Sequence, residues 1–177
     1  MHSLPPSDDS PLLADHLLDE WVQTLPGAVP RPSAAVRHAF ARFVSEVLQC
    51  NPDTNLNQAD VQVVLHGATG LAVGRAEASG PGRALGALAD AYHTRAAVGP
   101  NDAPYGRVLL SLLSHIDTEL AMDELTDVLE SVQQRTGPDW EIIFGHGIAA
   151  DLPAELRVSI LWASGTRSCP FLTYVLK

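Results

Sequence analysis

Apolar and polar positions follow their clearest pattern between Trp140 and Gly165. Trp140 to Ile148 is an apolar run that carries Gly145-His146-Gly147. From Leu156 onward the chain alternates. Leu156, Val158, Ile160 and Trp162 take one side, and Arg157 and Ser159 the other. Period two over that length predicts a half-buried strand. Ala149 to Pro153, with Asp151 and Pro153 as turn formers, connects it to the preceding run. So short a connection predicts a long hairpin of antiparallel strands.

Upstream the period changes to that of helices. Pro11 suits a first helical position, capped by Asp9 or Ser10. Leu13, Leu17, Trp21 and Leu25 then recur at i+4, widened by Leu12, Leu18 and Val22, with Asp15, Asp19 and Glu20 on the wet side. Each such apolar side chain contributes about 1.5–3 kcal/mol when buried. The stripe therefore covers either its own domain or a partner's groove. Pro26 to Pro32 is a proline-rich linker, and Ser33 caps a second helix. Val36, Ala39, Phe40, Phe43, Val44, Val47 and Leu48 form its inner face, and it stops before Asn51-Pro52.

A short helix is expected from Ala59 to about His66, and a strand from Leu71 to Ala76, closed by Ser79-Gly80-Pro81-Gly82. A helix rich in small residues follows from Arg83 to about Arg95. Val108 to Leu113 is uniformly apolar, as a central strand is. Leu120 to Arg135 is a helix with Met122, Leu125, Val128, Leu129 and Val132 inward, stopped by Gly137-Pro138. Phe171 to Leu176 reads as one further strand. Helices alternating with strands define an α/β layered fold with a mixed sheet of four to five strands and helices packed on it.

Composition narrows the function. The 177 residues are 46% apolar, enough for one domain with a real core. A net charge of −10 repels phosphate backbones, so nucleic acid is not the expected partner. Cys50 and Cys169 show no metal-ligand spacing and fit a reduced, cytoplasmic setting as small apolar residues. Neither a signal peptide nor an apolar run of membrane-spanning length is present, so no direct membrane insertion is expected. The seven histidines form no His-x3-His pair, and no metal or other cofactor is expected.

Several stretches together resemble FtsZ, of the tubulin/FtsZ superfamily. The segment IIFG…DLPAELRVSILWASG is similar to its last two strands. Ser33 to Gln49 resembles the lower part of its central helix, and Leu71 to Gly80 the strand that precedes a glycine-rich turn. Glu119-Leu-Ala-Met-Asp-Glu-Leu125 resembles the start of a later helix. Asn55-x-Asn57-x-x-Asp60 is similar to the synergy loop, which in that family reads Asn-x-Asp-x-x-Asp. The resemblance runs from Val36 to Gly165 and implies the C-terminal half of the FtsZ fold, without the GTP-binding domain. The Gly-Gly-Gly-Thr-Gly-Ser-Gly phosphate loop is not found in the sequence. Gly80-Pro81-Gly82 is too short to replace it, and its proline lacks a donor N–H. The family's acidic tail peptide is not expected either, since Tyr174-Val175-Leu176-Lys177 does not resemble it. The expected organisation is a disordered 1–10, an added N-terminal amphipathic helix and linker over 11–32, and an FtsZ C-terminal-like domain over 33–177.

In the family, the synergy-loop carboxylates reach the next subunit's nucleotide and polarise the attacking water. Asn57 keeps shape and hydrogen bonding but cannot take a proton, whereas Asp60 keeps its charge. The alternative is structural: Asn55 and Asn57 make a turn and Asp60 caps the next helix. With no nucleophile–base pair, metal cluster or phosphate loop legible, the chain is expected not to be an enzyme. The resemblance implies a cytoplasmic protein of cell division or the cytoskeleton that works by protein contacts, a regulator or cap of FtsZ-type filaments, with Asn55, Asn57 and Asp60 facing the partner. The alternative is a homo-oligomeric scaffold independent of FtsZ. Leu13, Leu17, Trp21 and Leu25 would pack on the domain, a partner or a second copy.

Overall fold

The chain's two periodicities become ten elements in the computed structural model, which describes residues 10–25, 31–49, 55–101 and 103–165. They are α1 (Ser10–Thr24), α2 (Ala34–Gln49), α3 (Gln58–Leu65), β1 (Gly70–Ala78), α4 (Arg83–His93), β2 (Ala96–Val98), β3 (Gly106–His115), α5 (Met122–Thr136), β4 (Trp140–Ala149) and β5 (Leu156–Ser164). The expected strand over Phe171 to Leu176, the expected disorder of 1–9, the cap at Asp9 and both cysteines lie outside the described residues, whereas Ser10 is already the first residue of α1 rather than disordered or a cap before it.

The strands form one mixed sheet in the order β2-β1-β5-β3-β4. Helices α1, α2 and α3 cover one face, with Phe40, Phe43, Val61, Leu109 and Leu161 at the centre of that core. Helices α4 and α5 cover the other, over Leu110, Leu112, Val158 and Ile160. The result is the α/β layered fold expected, in three layers.

The expected hairpin is not formed. Strand β3 lies between β4 and β5, parallel to the first and antiparallel to the second. A parallel neighbour needs a crossover, and α5 supplies it between β3 and β4. Segment 150–155 then carries the chain past the end of β3, and β5 enters between β3 and β1. The two strands do run antiparallel, but without pairing.

Strand β5 is covered on both faces rather than half-buried. Ser159 is fully buried, and Leu161 and Ala163 on the same side join the α1–α3 core. The alternation records a buried polar strip, not a wet face. Two further expectations change at element ends. Met122 is 76% exposed because it sits on the first turn of α5, ahead of Val128 and Val132. Leu12, on the first turn of α1, is 72% exposed, whereas Leu18 is buried. Strand β2, three residues long, was below what a period could reveal.

Small residues let α4 approach closely. A Cβ at Gly74 would lie 2.0 Å from the Ala91 carbonyl oxygen, so β1 accepts glycine alone at that contact. Arg83, 8% exposed, ties the start of α4 to α5 by a two-pronged contact with Glu124, at 2.9 Å for each oxygen.

Candidate protein-docking site

Asn55, Asn57 and Asp60 fall together at the start of α3, and local chemistry orders them. Asn57 is the N-cap, in extended backbone at φ −147°. Its Oδ1 accepts from the Ala59 N–H at 2.7 Å. Asp60 Oδ2 accepts from the Asn57 N–H at 2.8 Å. This reciprocal capping box satisfies donors that the helix leaves open. Asn55 and Asn57 are exposed and Asp60 is half-buried. Asp60 is thus engaged by the loop's own backbone through one oxygen. Asn55 makes no hydrogen bond among the described residues.

Leu56 anchors the loop from beneath. It is 6% exposed and packs over Gly145 of β4. Val61, Val64 and Leu65 hold α3 against the sheet. Arg107 of β3, 2% exposed, fixes the far end of the helix. Its Nη1 donates to the Val63 carbonyl at 2.8 Å and to that of His66 at 3.4 Å, while its Nε meets Glu141 Oε2 at 2.9 Å. A cation suits the carbonyl end of a helix. Arg107 was not legible as part of this site. The only signal was a charge at the head of the apolar run Val108 to Leu113.

The α1 residues are distributed along one packed face. Leu17 and Trp21 are buried at 3% each, and Leu13 and Leu25 are partly buried against the same core. Trp21 Nε1 donates to the Ala68 carbonyl at 3.0 Å, which joins α1 to the segment after α3. Arg37 of α2 meets Asp15 at 3.1 Å and Asp19 at 2.7 Å on the outer side.

Two polar groupings escaped the sequence. Glu46 of α2 lies over the sheet, with Oε2 3.4 Å from Arg75 Nε and 3.8 Å from Arg157 Nη1. Glu77 Oε1 meets Arg157 Nε at 2.7 Å. Burial pushes the Glu46 carboxyl above its ordinary range, against the opposing pull of Ser159, Arg157 and Ser111. The second grouping is Ser114 Oγ, 2.9 Å from His146 Nε2. That is a nucleophile–base distance, but Ser114 is fully buried, so no substrate carbonyl reaches it. Burial also holds the His146 imidazole below its usual pKa. Among the described residues no group of three or more His, Cys, Asp or Glu is placed to hold a metal ion. None of the described helices is long and apolar enough to cross a membrane.

No protein-family model matches the chain. Over 128 residues it is 25% identical to the mitochondrial division protein fszB of Dictyostelium discoideum, covering 72% of this chain and 34% of that protein. Its structure is similar to an empty FtsZ dimer from M. jannaschii, with a TM-score of 0.53 and 21% identity over 85% of this chain and 43% of that one. It is also similar to CetZ from Methanosaeta thermophila strain DSM 6194, with a TM-score of 0.51 and 17% identity over 74% of this chain and 38% of that one. The fold is that of the C-terminal domain of FtsZ and tubulin, and the resemblance to FtsZ holds along most of the chain. The chain spans less than half the length of each of these relatives.

Proposed function

We propose that this chain acts without catalysis, through protein contacts, as a regulator or cap of FtsZ-type filaments, with the loop Asn55 to Asp60 as its docking surface. The observation that carries the reading is the construction of that loop. Leu56 and the capping box hold Asn55 and Asn57 outward in a defined shape, and a surface ordered before contact loses less entropy on binding. The family's loop meets a neighbouring subunit's nucleotide. Asn57 in place of a carboxylate would leave that contact a poor hydrolytic site. One of the similar structures is an FtsZ dimer, and the curated relative is a division protein, which agrees with a role in protein assembly.

The test uses FtsZ GTP turnover and sedimentation, with this protein present below stoichiometry. Turnover and filament length should fall together. Asn57 is the helix cap, so bulk there would disturb the loop it probes. Asn55 is the cleaner position, and Asn55→Trp should abolish both effects while leaving the melting temperature within a degree or two. Equal effects from wild type and variant would remove the loop as the docking surface.

The alternative is a homo-oligomeric scaffold, favoured by one observation. Strand β4 lies at the edge of the sheet and carries Phe144, 43% exposed. An apolar edge strand is a template for pairing with another chain. A large mass in size exclusion without FtsZ, lost in Phe144→Lys, would favour this reading over the cap.

A further inference from the structure

At the start of β4, away from the docking loop, the α4 and α5 side of the sheet opens into a recess of about 430 Å³. Its walls combine aromatic rings and cations. Tyr92 and Trp162 lie with ring centroids 4.3 Å apart at 49°. Trp140 contributes a third ring. Arg135 holds its guanidinium carbon 4.2 Å above the Tyr92 ring, and Arg95 Nη1 donates to the Tyr92 carbonyl at 2.6 Å.

These two arginines differ from most others in the molecule. Arg37, Arg75, Arg83, Arg107 and Arg157 each meet a carboxylate. Arg95 and Arg135 meet none among the described residues, although the chain carries 21 acidic residues against 11 basic ones. Positive charge with no carboxylate partner among the described residues, beside a concave aromatic wall, is the arrangement an anionic ring would complete. A further unspent group lies in the same wall. Tyr92 is 4% exposed, and its hydroxyl has no hydrogen-bond partner among the described residues. Buried polar groups are ordinarily paired, so an orphan beside a cavity marks a place where a partner is missing. Burial also drives the phenol's pKa well up, which keeps it a neutral donor.

We propose that this recess binds a planar aromatic acid, an aryl carboxylate or aryl phosphate, with its ring against Trp140 and Trp162 and its charge between Arg95 and Arg135. The ring supplies apolar burial. The guanidiniums, with paired N–H donors, suit a carboxylate or phosphate better than a point cation does. A bicyclic ring with one acid group fits the volume. Both arginines also stand at or just past the ends of α4 and α5, where a cation complements the helix dipole. That role would change stability when they are replaced, but would confer no preference for charged rings. The inference is independent of the filament reading, since the recess and the docking loop share no residues.

The experiment follows the three tryptophan indole N–H signals by NMR. Trp140 and Trp162 line the recess, whereas Trp21 is on the opposite face and bonded to Ala68. The probes are 2-naphthoate and 1-naphthyl phosphate, with 2-naphthol as the ring without charge and inorganic phosphate as the charge without ring. The acids should bind one to one at sub-millimolar concentration and shift Trp140 and Trp162 but not Trp21. Naphthol should bind at least about tenfold more weakly, and the double variant Arg95→Gln/Arg135→Gln should lose about tenfold or more for the acids. If that variant fails to fold, Arg135→Lys and the charged-versus-neutral comparison on wild type decide instead. Shifts confined to Trp21 would place binding in a second recess, lined by Trp21 of α1 and by Leu65 and His66 at the end of α3, and overturn the proposal. Equal affinity for naphthol and naphthoate, no shift up to millimolar acid, or undiminished binding by the folded double variant would do the same.

Discussion

Leu56 rests directly on Gly145: a Cβ built at Gly145 would come within 2.5 Å of Leu56 Cγ. One glycine in β4 therefore sets the height of the loop 55–60 above the sheet. Gly145→Ala must displace Leu56, and overpacking of this kind costs about 1–3 kcal/mol. A lowered melting temperature is expected, together with amide shifts concentrated at 55–60. Leu56→Ala loses buried packing of its own, but the double variant should lose less than the sum of the two single losses, because the smaller side chain vacates the space. A Gly145→Ala protein as stable as wild type would show that the loop is not held this way.

Trp21 joins α1 to the core by burial and by its bond to Ala68. Trp21→Ala should cost about 3–5 kcal/mol. Leu12→Ala, on the same helix but exposed, should change stability by less than about 0.5 kcal/mol. Chemical denaturation of the two variants side by side makes the comparison. Similar small losses would mean that α1 contributes little to this domain.

Stability should depend on pH in two opposite ways. Arg83 holds the Glu124 carboxylate below its ordinary 4.5. Its contribution is therefore present above that value and lost as pH falls through the lowered one. Breaking a charge-assisted bond of this kind costs about 1–3 kcal/mol. Glu124→Gln should thus be less stable than wild type near neutrality, and the gap should close in acid. Glu46 is shifted up by burial, so the stability tied to its neutral form is present below 4.5 and lost as pH rises through the raised value. The difference between Glu46→Gln and wild type should accordingly move in the variant's favour with rising pH. Parallel pH profiles for the two variants would contradict at least one assignment, and profiles that both track wild type would contradict both.

The 177-residue chain should bind neither GTP nor GDP tightly. Its sequence offers no glycine-rich loop whose N–H groups could cradle a phosphate chain. Isothermal titration with either nucleotide should show no micromolar site of one-to-one stoichiometry, and such a site would reverse the non-catalytic reading.

How much was legible in the sequence differs from residue to residue. The stripe through Phe40, Phe43 and Val47 announced α2, because a helix facing a core repeats its apolar positions at a fixed local spacing. Asn57 and Asp60 were legible as turn and cap residues because such chemistry closes over three residues, but the roles differ: Asn57, read as a turn residue, is the N-cap, and Asp60, read as the cap, is the third residue of α3. Arg157 and Ser159 misled, since a local alternation cannot tell water from a buried Glu46 more than a hundred positions earlier. The separation of β4 from β5 by β3 was equally invisible. Backbone pairing is chemically uniform, and the choice of neighbour depends on where α5 returns the chain. Arg107 under α3 and the rings beside Arg95 and Arg135 unite residues from distant elements. Local spacing along the chain therefore determined the helices, most of the strands and the loop's caps. Only the packed sheet decided which charges are buried, which edge is open and where cations and aromatic rings meet, because those depend on distances in space that no period along the chain encodes.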